Sequence, residues 1–203
     1  SSSGSSNNVA LGWSVMSGDA LTGDDNVAIG YQAGVAVTTA ASNVMIGQNV
    51  NKTATTGNYN VIIGQEAAQS STGMDNCVVI GRHAVGGGTA AGDNNVSIGY
   101  QAAYSTTTAN LNTAVGVSAM YSNTTGNYNV ALGDLAMSGN VGGSRQVAVG
   151  HEAMRMFSQA GDVQNTAVGQ KAMYNIQTGS HNTAVGNEAM FGATGDDNDY
   201  NVA

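Results

Sequence analysis

The sequence predicts an all-β fold: a parallel β-solenoid, or β-roll, of about eleven stacked rungs of 17–19 residues, with two short strands in each rung. Three observations predict this fold. A five-residue pattern recurs eleven times along the 203 residues, a segment of small residues follows each copy, and linkers rich in Asn and Gly join the repeats. Such a period is typical of a chain that stacks one structural unit on the next.

Each five-residue pattern, or pentad, reads Asn, then Val or Thr, a small residue, Ile, Val or Leu, and Gly. The closing glycines lie 17–19 residues apart. Because the pentad alternates with period two and is rich in β-branched residues, it predicts a strand. Two copies, 26–30 and 129–133, supply the residues that we expect to be structural: Asn26, Val27, Ile29, Gly30, Asn129, Val130, Leu132 and Gly133.

The segment after each pentad supplies the second expected strand, as in QEAA at 65–68 and NEAM at 187–190. The linkers then carry turn residues, as in TTGNYN at 55–60. Gly and Asn adopt positive φ at low steric cost, so these linkers are expected to turn the chain. Eleven rungs stacked at about 4.8 Å would form a rod of roughly 50 Å.

The composition agrees with a thin core. The chain has 29 Gly and no Pro, aromatic residues make up 5% of it, and its apolar residues are mainly Ala and Val. Small side chains fill thin interiors, whereas Leu and Phe fill thick ones. The composition therefore favours a narrow rod over an ordinary globular domain.

The expected strand has two non-polar faces. In the copy at 26–30, Val27 and Ile29 point to one side, and Asn26, Ala28 and Gly30 point to the other. A solitary solenoid has one interior, so one of these faces would form an apolar stripe on the outside. The stripe predicts a parallel homo-oligomer. Periodicity leaves open whether this is a dimer or a trimer, and which face lines the interior.

The repeated pentads, such as NVAIG at 26–30, resemble the head repeats of trimeric autotransporter adhesins. The linker TTGNYN, at 55–60 and again at 124–129, is similar to repeats of phage and prophage tail-fibre proteins that end in a chaperone domain. The resemblance implies a left-handed parallel β-roll, a homotrimer, and an extracellular location on a virion tail fibre or a bacterial cell surface. It also implies attachment to a glycan or protein receptor on a host surface. Residues 1–203 are then expected to be one fragment of a longer fibre protein.

Several other functions are disfavoured. The five cations are scattered singly, so nucleic acid is not an expected partner. No apolar run approaches the roughly 20 residues that span a bilayer, so membrane insertion is not expected for this fragment. No spacing of His, Cys, Asp or Glu matches a metal or catalytic site, so we expect no metal, no cofactor and no enzymatic activity. Carboxylates in the linkers are interpreted as solvated turns: Asp24, Asp25, Asp93, Asp162, Asp196, Asp197 and Asp199.

Three side-chain rows follow from the period. The pentad asparagines are expected to stack into a hydrogen-bonded ladder, interrupted at Cys77 and Gln146, with a ligand-binding row as the alternative. A methionine row is expected to be buried, with a partner-binding surface as the alternative. It comprises Met16, Met120, Met137, Met154, Met173 and Met190.

The third row is aromatic, and it either forms a platform for sugar rings or packs between subunits. Its members are Tyr104, Tyr121, Tyr174 and Phe191.

Two alternative functions remain open beside a structural and adhesive fibre module. An ice-binding or lattice-binding solenoid would require regular Thr ranks, but the relevant row has Thr only at Thr113, Thr166 and Thr183. A polysaccharide-degrading tailspike would require paired carboxylates in a groove, whereas the acidic clusters fall in expected turns.

Overall fold

We describe a computed structural model of the chain, covering residues 4–18, 21–192 and 200–203. Eleven three-residue strands form one parallel sheet in sequence order, interrupted only by two short strands that pair with each other. The strands of the large sheet are Val9–Leu11 (β1), Val27–Ile29 (β2), Val44–Ile46 (β3), Val61–Ile63 (β4), Val78–Ile80 (β5), Val96–Ile98 (β6), Thr113–Val115 (β7), Val130–Leu132 (β8), Val147–Val149 (β10), Thr166–Val168 (β12) and Thr183–Val185 (β13). The short pair is Gly143–Ser144 (β9) and Gly161–Asp162 (β11).

Each strand comprises the three central residues of one pentad, and equivalent residues pair across neighbouring rungs. Val27 is the partner of Val44, and Val61 is the partner of Val78. A further rung begins at an isolated parallel bridge between Thr183 and Val202. The predicted parallel β-solenoid with a rung of about 17 residues is confirmed, and none of the described residues is helical.

The small residues of the pentads line the interior. Ala28, Ala114 and Ala148 are fully buried at the middle of their strands, whereas the Val, Thr and Ile on either side of them are half-buried. The same central position also accepts Met45 and Ile62. The structure therefore decides the question that periodicity left open: the Ala row faces inward, and the two rows of Val, Thr, Ile and Leu face outward.

The second strand expected in each rung is not formed. The segment after each pentad, such as 65–70, is a run of turns in which alternate residues have positive φ: Glu66 at 58° and Ala68 at 48°. Positive φ takes a residue out of the β region, so no regular strand can form there. The rungs remain joined, because Glu66 N–H donates to the Gln48 carbonyl before it and Ala68 N–H to the Ala84 carbonyl after it.

The closing glycines mark the closest approach between rungs. Gly64 has a φ of +135°, and a Cβ placed there would lie 2.5 Å from the carbonyl oxygen of Gly81. Most of the described glycines of this row meet the next glycine in the same way. A side chain at this position would collide with backbone, which explains why each strand ends on Gly.

Candidate functional site

The pentad asparagines form the predicted ladder along the interior. Asn43 donates from its backbone N–H and from Nδ2 to Oδ1 of Asn26, both at 3.1 Å. Its Nδ2 also donates at 2.8 Å to the carbonyl of Gly57, near the end of the same rung. Each buried amide thus joins two rungs and closes its own rung across the interior. Most of these asparagines are buried and have partners within the protein, which supports a structural row over a ligand-binding one.

Cys77 and Gln146 take the place of asparagine in this ladder. The Cys77 Sγ accepts from the backbone N–H of Asn95 at 3.4 Å, so a sulfur atom replaces the amide oxygen. Burial is the main cause that raises the pKa of the Cys77 thiol, and the nearby charge of Asp93 raises it further. The thiol therefore stays protonated and can donate to the Gly92 carbonyl. Gln146 Nε2 donates to Asn140 Oδ1 within the same region of the interior, at 3.2 Å. The buried Oε1 of Gln146 has no partner among the described residues.

A second ladder, which sequence reasoning missed, lies two residues before the pentads. The backbone N–H of Asn58 donates to Asp75 at 2.6 Å, that of Asp75 donates to Asp93 at 2.9 Å, and that of Asp93 donates to Asn110 at 2.8 Å. In this ladder each backbone N–H donates to the following rung, whereas in the first ladder it donates to the preceding rung. The signal was the recurrence of Asp, Asn or Ser two positions before most pentads, with Ala41 and Val163 as exceptions.

This second ladder changes the interpretation of the linker carboxylates. Asp24 and Asp93 are half-buried and accept backbone hydrogen bonds from the neighbouring rung, so they are more than solvated turn residues. Asp25 and Asp162 are exposed, as expected. Asp196, Asp197 and Asp199 lie outside the described residues. Within the described part of the chain, no group of three His, Cys, Asp or Glu side chains is placed to hold a metal ion.

The methionine row is buried, as predicted. Met120, Met137, Met154 and Met173 are fully buried, and Met16 is nearly so. Met190 is half-buried, near the end of the described rungs. These side chains belong to the turn segment and pack into the same core as the inward Ala row, so they supply bulk that Ala cannot.

The predicted aromatic row forms two separate stacks on the outside of the turn segment. The rings of Tyr104 and Tyr121 are parallel with centroids 5.1 Å apart, and those of Tyr174 and Phe191 are parallel at 5.4 Å. The three tyrosines are half-buried, and Phe191 is 38% exposed. The structure thus brings these residues together in pairs, but it does not join the two pairs into one continuous platform.

Ser138 and Arg155 occupy this row between the two pairs. The Arg155 guanidinium lies over the Tyr174 ring with Cζ 5.8 Å from its centroid, and Nη1 donates to the Tyr174 hydroxyl at 3.1 Å. Arg155 also pairs with Glu152, which is nearly buried. At Ser138 and Gly139 the small residues leave an open cavity of about 390 Å³ between Tyr121 and Arg155.

Two further sets of exposed aromatic residues were not predicted. Trp13 and Tyr31 follow successive closing glycines, and their rings stack 5.0 Å apart. Another set stands immediately before the pentad asparagine, at a left-handed position. Its members are Tyr59, Tyr128 and Tyr200. Their position relative to the pentad was the signal, and it was overlooked because few rungs have an aromatic residue there.

The outward face of the sheet is an apolar stripe that runs the length of the described rungs. Its two rows stand in register on the eleven strands, one containing Val27 and Val130 and the other Ile29 and Leu132. Most members are half-buried by their own neighbours, while Leu132 is 37% exposed and Leu11, at one end, is 65% exposed. The structural residues chosen from the sequence therefore divide among the inward asparagine ladder, this outward stripe and the row of closing glycines.

The chain matches no protein-family model, no curated protein and no solved structure. Among the described residues there is no helix of the length and apolar character that crosses a membrane.

Proposed function

We propose that this chain is a structural and adhesive module of a parallel homotrimeric fibre that attaches to a host or cell surface. The observation that carries the proposal is the outward apolar stripe on the strands. Contiguous apolar surface of this length is rare on soluble monomers and is characteristic of a protein interface. Its rows are regular, because equivalent residues of neighbouring strands stack in register.

A second copy of the same chain is the partner that best fits this stripe. Two parallel rods have the same rung spacing, so Val and Ile rows of one chain can meet those of another along their whole length. The stripe carries no ionisable side chain at its described strand positions, so no charge opposes the contact. The number three comes from the resemblance to trimeric adhesin heads.

The attachment role is assigned to the surfaces that the stripe leaves free. The turn segments and linkers vary in sequence from rung to rung, whereas the strands and ladders repeat. Variable residues displayed on a regular scaffold are a common way of building a recognition surface. We place the protein outside the cell, on a virion tail fibre or a bacterial surface, as a binding module rather than an enzyme.

The oligomeric state tests the proposal directly. Light scattering on the purified chain should give three times the mass of a single chain, and Ile63→Glu should reduce this mass because it places a carboxylate in the stripe. Gln65→Glu, an exposed change in the turn segment of the same rung, is the matched control and should leave the trimer intact. A monomer for the unmodified chain at all concentrations would refute the proposal.

A further inference from the structure

Between Tyr104 and Phe191, one position of the external aromatic row has no flat side chain. Proceeding along the rod at intervals of one rung, its residues are Tyr104, Tyr121, Ser138, Arg155 and Tyr174, followed by Phe191. Every one except Ser138 presents a flat ring or a guanidinium group to its neighbour. Between residues 104 and 191 the stacking is therefore interrupted at one position, Ser138, and the open cavity lies at that vacancy.

We propose that this vacancy binds one ring of a neutral hexopyranose, held between the Tyr121 ring and the Arg155 guanidinium. The inference rests on the proposed attachment function and specifies the receptor chemistry for it. It concerns the turn segment, so it does not depend on which contacts the strand face makes.

The spacing suits a single ring. Tyr121 and Arg155 are two rungs apart, which corresponds to about 9.6 Å at the usual distance between strands. A ring midway between them would lie about 4.8 Å from each, close to the 5.1 Å and 5.4 Å of the existing stacks. Preferred distances between stacked ring centroids begin at about 4.5 Å. The cavity of about 390 Å³ is within the range of small-molecule sites, roughly 300–1,000 Å³.

The lining favours a sugar over a purely apolar ring. Leu135 and Met156 provide apolar surface, and Tyr121 offers a π-face for the C–H groups of a pyranose. Ser118, Ser122 and Ser138 also line the cavity, and their hydroxyls can donate to and accept from sugar hydroxyls. An aromatic side chain from a protein receptor would leave those hydroxyls without partners.

The charge favours a neutral sugar over an acidic one. Arg155 is the cation at the cavity, and its charge is already balanced by Glu152. Lys171 also approaches Glu152, at 3.8 Å, but it is not part of the lining. The chain as a whole carries a net charge of −8, which would repel uronates and sialic acids.

Binding of defined oligosaccharides tests this inference. The unmodified chain should give saturation-transfer NMR signals from at least one neutral probe among maltohexaose, cellohexaose, a mannan hexaose and a galactan hexaose. Hyaluronan hexasaccharide, oligosialic acid and the aromatic probe p-cresol should bind at least tenfold more weakly. Absence of binding by all four neutral probes, or preference for an acidic or aromatic probe, would overturn the inference.

Two variants and a matched control locate the site. Ser138→Tyr should complete the stack and weaken binding at least tenfold without lowering the melting temperature, while Tyr121→Leu should weaken binding similarly by removing one wall. Gln69→Tyr makes the same kind of change in the same row, four rungs before Ser138, and should leave affinity unchanged. Binding that survives both Ser138→Tyr and Tyr121→Leu would refute the assignment.

The outcome of the sugar-binding test can be distinguished from the outcome of the light-scattering test for a trimer. A chain that is trimeric by light scattering but binds no neutral probe would contradict only the sugar site. A monomeric chain that binds a probe and loses it in Ser138→Tyr would contradict only the trimer.

Discussion

At the residue scale, the pentad asparagine links neighbouring rungs through several buried hydrogen bonds. Asn60 donates through Nδ2 to Asn43 at 3.0 Å and to the Met74 carbonyl at 2.6 Å, and its Oδ1 accepts from Cys77 N–H at 2.9 Å. All of these groups are buried, so each needs a partner within the protein. A side chain that cannot supply both a donor and an acceptor would leave backbone groups of two rungs unpaired.

At position 77, replacing the cysteine with asparagine should add the hydrogen bonds that the other ladder residues make. Cys77→Asn should raise the free energy of unfolding by about 1 kcal/mol, because amide hydrogen bonds would replace the weaker sulfur contacts at 3.4 and 3.5 Å. The rung that starts at Cys77 has 18 residues, as does the rung that starts at Asn8, where an asparagine already closes its rung. Urea unfolding followed by circular dichroism would measure the change.

The reverse substitution is the matched control. Asn129→Cys should lower the free energy of unfolding by about 1 kcal/mol or more, because it removes the amide bonds to the Gly143 carbonyl and from Gln146 N–H. Changes of the same sign in the two variants would contradict the role assigned to the ladder.

At the element scale, one strand and one run of turns alternate in every rung, and the closing glycine separates them. The strand provides regular pairing to both neighbouring rungs. The turn segment provides backbone bonds in both directions from residues at positive φ, such as Glu152 and Met154. Both elements therefore keep their polar backbone groups paired, although only one of them is a strand.

Two glycine substitutions can distinguish the destabilisation caused by close contact between rungs from that caused by backbone strain. Gly64→Ala should destabilise the chain by roughly 3 kcal/mol or more, because its Cβ would lie 2.5 Å from the Gly81 carbonyl oxygen. Gly161 also has a positive φ, +99°, but no described atom lies within 4 Å of its added Cβ. Gly161→Ala should therefore show only the cost of the backbone conformation, about 1–3 kcal/mol.

Thermal unfolding of both variants measures this difference. An equal decrease in melting temperature for Gly64→Ala and Gly161→Ala would mean that the approach of neighbouring rungs does not explain the glycine row.

At the scale of the whole molecule, stability is expected to depend on association. Adding a rung extends the interior, both ladders and the outward stripe together, so the exposed apolar area increases with the length of the rod. The burial of that stripe in a trimer would then contribute to the stability of every rung. A monomeric rod would have no such contribution.

The melting temperature should therefore rise with chain concentration. A tenfold increase should raise it by about 2 °C for a 203-residue chain that unfolds from a trimer to monomers. Differential scanning calorimetry over a hundredfold concentration range would detect this shift. An Ile63→Glu variant that is monomeric should show none, and a melting temperature independent of concentration in the unmodified chain would contradict the association.

Much of the scaffold was predictable from residues with a fixed period. The alternation within NVAIG predicted the strand, the spacing of Asn26 and Asn43 predicted the ladder, and the spacing of Met137 and Met154 predicted a buried row. These predictions succeed because stacking places residues one period apart in direct contact, whatever the detailed path of the chain. The aromatic row was likewise found by its period, but the vacancy at Ser138 becomes a cavity only when its neighbours are in place.

The sequence by itself determined the period, the parallel stacking and the identity of the stacked rows. Only the tertiary structure decided which strand face lies inside, because both faces are non-polar and the thin interior admits mainly Ala at the central position, as at Ala28. It also decided that the second segment turns rather than extends, since residues such as Glu66 and Ala68 carry no sequence mark of positive φ. Their conformation is imposed by the need to return each short rung to its starting point while its backbone bonds to both neighbouring rungs.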